Sequence, residues 1–345
     1  MRGKTFAVQN AKQKAKTTKP RRKEELIHMK FTVEKRLLNE AVTNLQRAVS
    51  SKTSIPALEG ILIRNEENRL ILTAYDLEIG MQTELPAIIS APGAIILTAK
   101  LFAEIVRRSP DEDITIDVDD RNTATITSGV SCFTIIGMDP AEFPELPKIT
   151  DADTIKMPQE LLKSMIRQTL FAVADSTAKP IHQGSLFKIE NGNLDVVSVD
   201  GYRLALRREA INYANNTEFV VPGKTLSEVL KLLKDSEGEA EICPSRRHIL
   251  FRIDNYTVIS ALLEGEFLDY KSALPKDKKT EVTVSTRTMI ESVERVSLLI
   301  TDRLKSPVRC VIGEDTVKLF CTTTMGRATD QISAEISGDQ LEIGF

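Results

Sequence analysis

Tryptophan is absent, histidine occurs three times, cysteine four times, and no apolar run approaches the length of a membrane span. Each shortage removes a class of function. Cys132, Cys243, Cys310 and Cys321 lie far apart and mostly within strand-like runs, which suits neither a disulfide framework nor a zinc site. Reduced core thiols are expected. His28, His182 and His248 have no companions at ligand spacing, so no metal or cofactor is expected. A span needs about 20 apolar residues, so no membrane association is expected either. No glycine-rich phosphate loop precedes a helix, and neither a metalloprotease helix nor a nucleophile elbow occurs. No catalytic residue is identified, and no enzyme is expected.

What is present is a composition suited to a folded chain, 41% hydrophobic and 28% charged over 345 residues, enough for two or three domains. The net charge of −3 conceals an asymmetry. Residues 1–28 hold nine Lys/Arg against two Glu, about +7, which leaves about −10 for the remainder. That opening has few large apolar residues and reads as a disordered basic extension, either an arm that grips phosphate or a tag or misplaced start ahead of Met29.

From Met29 the chain repeats itself. "IILTAKLFAEIVRR" from Ile95 and "FVVPGKTLSEVLKLL" from Phe219 place Lys100 over Lys224, Glu104 over Glu228 and Arg107 over Lys231, each pair 124 positions apart. Pro56 and Pro180, Gly60 and Gly184, Asp76 and Asp200, and Phe143 and Phe267 keep the same offset. The unit is domain-sized and reads as strand, helix, hairpin and strand, then the same order again. Asn191-Gly192 between alternating runs predicts a two-residue hairpin. A third copy begins near Glu281 and runs to "LEIGF", about 50 residues short of a full unit, so the last domain is expected to lack its C-terminal half. The boundaries predicted are 1–28, 29–148, 149–275 and 276–345.

Two features admit plain structural readings. The acidic run "SPDEDITIDVDD" alternates along a hairpin and reads as a solvated sheet face, and Asp76 and Asp200 read as turn-closing residues. Charge placement asks for more. Helices expected at 34–49, 99–108, 159–171, 223–234 and 286–300 sum to about +6, which leaves about −16 on the rest of the body. One sign repeated on equivalent elements, against the opposite sign elsewhere, points to a surface that meets a polyanion. No base-reading motif accompanies it, so duplex DNA held through its phosphates, without sequence preference, fits best.

At this point the motifs "MKFTVEK", "IPALEGILI", "LTAYDLEIG", "FPELP", "VVSVDGYRLALRRE", "EGEFLDY" and "LEIGF" stand in order from Met29 to Phe345. Together they resemble the bacterial DNA polymerase III β subunit family, the replication sliding clamps. The resemblance implies an α+β DNA-clamp fold, with repeated domains of two helices each on curved antiparallel sheets. Two chains then close head to tail as a homodimer ring around duplex DNA. It implies a cytoplasmic bacterial processivity factor, nucleoid-associated during replication, that tethers the polymerase. The partners implied are the replicative DNA polymerase alpha subunit, the clamp-loader delta subunit and other proteins with a clamp-binding motif.

Carried over by position, the resemblance makes Lys52, Lys100, Arg107, Lys179 and Lys224 DNA-facing. It makes Val199, Gly201, Tyr202, Arg203 and Leu204 the floor of a partner-peptide groove, with His182 and Leu268 beside it where the family commonly has an apolar residue and a proline. It gives Phe133 and Ile135 to one side of the dimer interface and Leu299 and Ile300 to the other. The expected loss of half a domain would weaken peptide binding, and it leaves a second reading open. That reading is a clamp-like scaffold that binds partner peptides but forms no closed ring.

Overall fold

The computed structural model describes the chain outside residues 1–28, 51–52, 150–152, 177–178, 236 and 302–305. Lys52 and the proposed basic extension therefore lie outside the described residues. Up to Leu268 the chain forms one compact unit, and Asp269–Phe345 forms a second.

The first repeat contains β1 (Met29–Glu34), α1 (Lys35–Leu45), β2 (Gly60–Glu66), β3 (Arg69–Tyr75), β4 (Ile79–Pro86), β5 (Ile88–Ala91), β6 (Gly93–Thr98), α2 (Ala99–Arg108), β7 (Asp113–Val118), β8 (Thr123–Ser128) and β9 (Ser131–Ile136). The second repeats the order with β10 (Ile155–Pro158), α3 (Gln159–Thr169), β11 (Gly184–Glu190), β12 (Asn193–Val199), β13 (Leu204–Ala210), β14 (Thr217–Pro222), α4 (Gly223–Leu232), β15 (Glu239–Pro244), β16 (His248–Ile253) and β17 (Tyr256–Ala261). All strand pairings are antiparallel, in sheets ordered β5-β1-β7-β8-β9, β10-β15-β16-β17-β4-β3-β2-β6 and β13-β12-β11-β14.

Strand alternation explains why these runs form sheets over helices. On β7, Ile114, Ile116 and Val118 are buried while Asp113 is exposed and Asp117 is half-exposed, as the acidic-hairpin reading requires. The helices turn one stripe inward: Leu38, Ala41, Val42 and Leu45 on α1, and Phe102, Ile105 and Val106 on α2, at spacings of three and four. These stripes and the sheet faces form one core running through both repeats. The Asn191-Gly192 turn is as expected, with φ of +52° and +74°, values that Asn and Gly tolerate.

One strand crosses the repeat boundary. β17 of the second repeat pairs with β4 of the first, in the register Thr257↔Gln82 and Val258↔Met81. This joins strands of the two repeats into one eight-stranded sheet.

The second unit contains α5 (Tyr270–Ala273), β18 (Thr280–Thr283), α6 (Thr286–Ser297), β19 (Arg309–Ile312), β20 (Thr316–Thr323), β21 (Gly326–Ser333), β22 (Glu335–Gly338) and β23 (Leu341–Gly344). Its four-stranded sheet runs β21-β20-β19-β23, the order of β4-β3-β2-β6 in the first repeat, and β18 pairs with β22. Its own core gathers Val296, Val308, Cys310, Val317, Leu319, Cys321 and Ile332. Three of the four cysteines are buried as expected. Cys132 departs from that expectation and is exposed, because it sits on β9, an edge strand.

Candidate functional site

Each repeat carries the same turn after its third strand, and the same residue type builds it. Asp76 Oδ1 accepts from the backbone N–H of Glu78 at 3.0 Å and of Ile79 at 2.7 Å. Asp200 Oδ1 accepts from the N–H of Tyr202 at 3.0 Å and of Arg203 at 3.1 Å. Both are the side-chain turns the sequence predicts. The second carboxylate oxygen is what distinguishes them. Asp200 Oδ2 accepts from Arg203 Nε at 2.8 Å within its own turn, whereas Asp76 Oδ2 accepts from Lys224 Nζ at 2.7 Å across the repeat boundary.

The Asp200 turn presents the residues assigned to a peptide groove. Val199 is buried beneath it, Gly201 takes φ of +92°, and Tyr202 is fully exposed. Arg203 lies over the ring of Phe171, 5.5 Å from its centroid. No residue pattern marks that partner, since Phe171 reads only as the end of a helix. Burial works against the Asp200 carboxylate, but the two N–H donors and Arg203 outweigh it and lower its pKa. His182 meets Phe267 edge to face, centroids 5.6 Å apart, immediately before the half-exposed Leu268. Burial, and then the charge of Lys179, lowers the His182 pKa, which favours the neutral ring.

The matching place in the first repeat is filled. A Cβ on Gly80 would stand 2.5 Å from Leu146 Cδ2, and among Tyr75, Leu77, Pro147 and Ile259 only about 10 Å³ remains. Position 80 corresponds to Leu204 at the offset of 124, so a leucine seated as Leu146 is would meet a side chain there rather than a hydrogen. The first linker seats Leu146 against Gly80 beside its turn, and Leu204 stands at the equivalent position of the second repeat.

The cations assigned to DNA fall into different settings. Lys100 is exposed on α2, and Arg107 is exposed on the same helix, its Nη2 bonded to Glu104 at 2.6 Å. Arg107, more than the other causes, holds the Glu104 carboxyl below the ordinary range. Lys179 is exposed beside Pro180. Lys224 opens α4 but is gripped by Asp76 and, at 3.2 Å, by Glu78. Burial lowers its pKa, and the hydrogen bonds and charges of those two carboxylates more than reverse that. Asp76 and Glu78 thus hold a cation the sequence assigned to DNA alone.

The edges assigned to an interface are partly inward. Phe133 on β9 is 38% exposed, while Ile135 packs against the first core. Ile300 packs against the core of the second unit, and the exposed residue of that segment is Leu298, which the sequence reading passed over. Among the described residues, no group of three or more His, Cys, Asp or Glu could hold a metal ion. No helix there is long and apolar enough to cross a membrane.

The family models of the DNA polymerase III beta subunit match in succession: the N-terminal domain over residues 29–147, the central domain over 156–269 and the C-terminal domain over 271–345. The chain belongs to the DNA polymerase III beta subunit family. It is 34% identical over 330 residues to the beta sliding clamp of Bacillus subtilis and 33% over 332 residues to that of Halalkalibacterium halodurans, covering 92% of this chain and 87% of each relative. The crystal structure of the Bacillus subtilis DNA polymerase sliding clamp superposes with a TM-score of 0.87 at 34% identity, and that of the Thermotoga maritima beta subunit with 0.82 at 26%. The expectation that the last domain lacks its C-terminal half is not borne out, because these relatives align over 87% of their length. The beta subunit fold is three repeated domains of helices on antiparallel sheets, as the sequence implied.

Proposed function

We propose that this chain is a DNA sliding clamp, a processivity factor that holds a polymerase on duplex DNA. The observation that carries the reading is the unbroken succession of three beta subunit domain models along one duplicated chain. It is a binding subunit rather than an enzyme. Its three domains are assigned to 29–148, 149–275 and 276–345, and its place is the bacterial cytoplasm, with the nucleoid during replication.

The mechanism is retention by topology. Two copies close head to tail around the duplex, β9 with Phe133 and Ile135 meeting the segment of Leu299 and Ile300. Lys100, Arg107 and Lys179 face the phosphates, and Lys224 joins them with its charge offset by Asp76 and Glu78. Modest basicity serves sliding, because each phosphate neutralised adds salt-dependent affinity that would slow movement along DNA. The groove over Val199, Gly201, Tyr202, Arg203 and Leu204, flanked by His182 and Leu268, takes a short peptide. The polymerase alpha subunit, the clamp-loader delta subunit and other motif-bearing proteins compete for it. A buried apolar floor with an exposed aromatic and an arginine has the residue types that anchor peptides.

Primer extension by the cognate polymerase on a long template tests this. Adding the chain together with its ATP-driven loader lengthens the products of single binding events. Unchanged product length refutes the proposal.

A further inference from the structure

After its last strand each repeat returns to the strand that precedes its second helix, and the two repeats make that return differently. In the first, Met138 accepts from the Ile96 N–H at 3.2 Å, donates to the Ile96 C=O at 2.9 Å, and packs against buried Ala57, Leu62 and Phe143. In the second, Leu263 donates to the Val220 C=O at 3.0 Å, and the Val220 N–H has no backbone partner among the described residues. The length of the connection accounts for this. From Leu263 to Phe267 it is one residue shorter than from Met138 to Phe143. It lacks the tight turn Pro140–Glu142 that Asp139 caps, and passes instead through Gly265 at φ of +134°. Beside it a cleft of about 910 Å³ opens between β14, the turn that joins β15 to β16, and the connection itself.

Backbone groups are left over in that cleft. β14 is an edge, because the sheet β13-β12-β11-β14 ends on it. Alternation along the strand turns the N–H and C=O of Glu218 to the same side as those of Val220, away from β11. Pro222, at the same phase, has no N–H to lose there. The Glu218 backbone groups meet no partner on that side among the described residues. Charge is left over as well. Each carboxylate of the cleft is held: Asp153 by Asn215 Nδ2 at 2.9 Å, Glu218 by Lys188 at 3.2 Å and Glu264 by Arg247 at 3.7 Å. Arg246, exposed on the β15–β16 turn, has no carboxylate partner among the described residues.

An edge with open backbone groups takes an added strand, and the walls beside it select that strand's side chains. We infer that this cleft holds an extended peptide of another protein, added antiparallel to β14, with an acidic side chain on Arg246 and an apolar one against Leu263 and Phe267. The peptide residue opposite Glu218 exchanges both backbone hydrogen bonds with it. An acidic occupant is selected because the one charge without a counterion in the cleft is a cation. None of the residues lining the cleft belongs to the groove assigned around the Asp200 turn, so the two sites fill independently. The inference does not depend on ring closure.

The test follows backbone amide signals of the isotope-labelled full chain by NMR as the capped peptide Thr-Val-Glu-Val-Thr is added. The signals of Glu218, Val220 and Arg246 shift with a Kd of about 1 mM, and the peptide with Lys in place of Glu binds about tenfold more weakly. Arg246→Glu, a change on an exposed turn, reverses that preference. Glu218→Pro melts within a few degrees of the parent, because the lost N–H serves no ladder bond, yet weakens the peptide by about tenfold. Saturating the chain with a clamp-binding peptide leaves the shifts in place. The proposal is overturned by signals that stay still up to about 10 mM peptide, by equal response to the Glu and Lys peptides, or by displacement of the probe by the clamp-binding peptide. Parent-like affinity in Glu218→Pro, or its failure to fold, removes the open edge and the proposal with it.

Discussion

The Lys224 ammonium lies 2.7 Å from the carboxylate of Asp76, 148 positions earlier, and binds the second repeat to the first. Its counterpart at the offset of 124, Lys100, stands exposed on α2. Two lysines that duplication made equivalent now stand in different settings.

Charge reversal separates those roles. Lys224→Glu sets three carboxylates together and lowers stability by about 1–3 kcal/mol, whereas Lys100→Glu stays within about 0.5 kcal/mol of the parent. Thermal unfolding followed by circular dichroism reads the difference. Lys100→Glu also weakens duplex binding at low salt and reduces the salt slope by about one. Equal melting of the two variants, or unchanged DNA binding by Lys100→Glu, contradicts the division.

The plug beneath the first turn predicts coupling. Gly80→Ala drives a methyl into Leu146 and costs about 1–3 kcal/mol. In a Leu146→Ala background the same change costs less than about 0.5 kcal/mol, because the obstructing methyl is gone. Additive losses in denaturant titrations show that Leu146 does not fill that place.

His182 gives a pH signature. Its folded pKa lies below the unfolded value near 6.5, so the unfolded chain binds the proton more readily. The neutral ring's contribution is complete above the unfolded pKa and is lost as pH falls through the folded one. His182→Leu therefore narrows the fall in Tm between about pH 7 and 5, a window above the range where carboxylates titrate. Parallel Tm curves for the two proteins contradict the assignment.

Asp200 organises the proposed groove floor by accepting from two backbone N–H groups and from Arg203. Asp200→Ala frees all three donors and lowers affinity for a clamp-binding peptide by about tenfold, roughly the value of one hydrogen bond to a charged group. Calorimetric titration measures it. Affinity equal to that of the parent means that Arg203 needs no such support.

How far the sequence could be read follows from which interactions are local. Helical stripes such as Phe102, Ile105 and Val106, the alternation of β7 and the Asn191-Gly192 turn depend on near neighbours, and each is legible in the residue pattern. The 124-residue offset also exposed the duplication. What the pattern could not give was pairing across the repeats. Lys224 with Asp76, Leu146 against Gly80 and Arg203 over Phe171 join residues whose separation carries no periodic signal. Ile300 illustrates the same limit, since a strand or helix pattern marks an apolar residue without saying whether it faces its own core or a partner.

The most direct test of the central claim is retention on circular DNA. The chain is loaded onto a singly nicked plasmid, freed of unbound protein by gel filtration, and the plasmid is then cut once. A sliding clamp stays on the circle at moderate salt and runs off the linear product within minutes. Equal retention on circle and line, or none on either, contradicts the account.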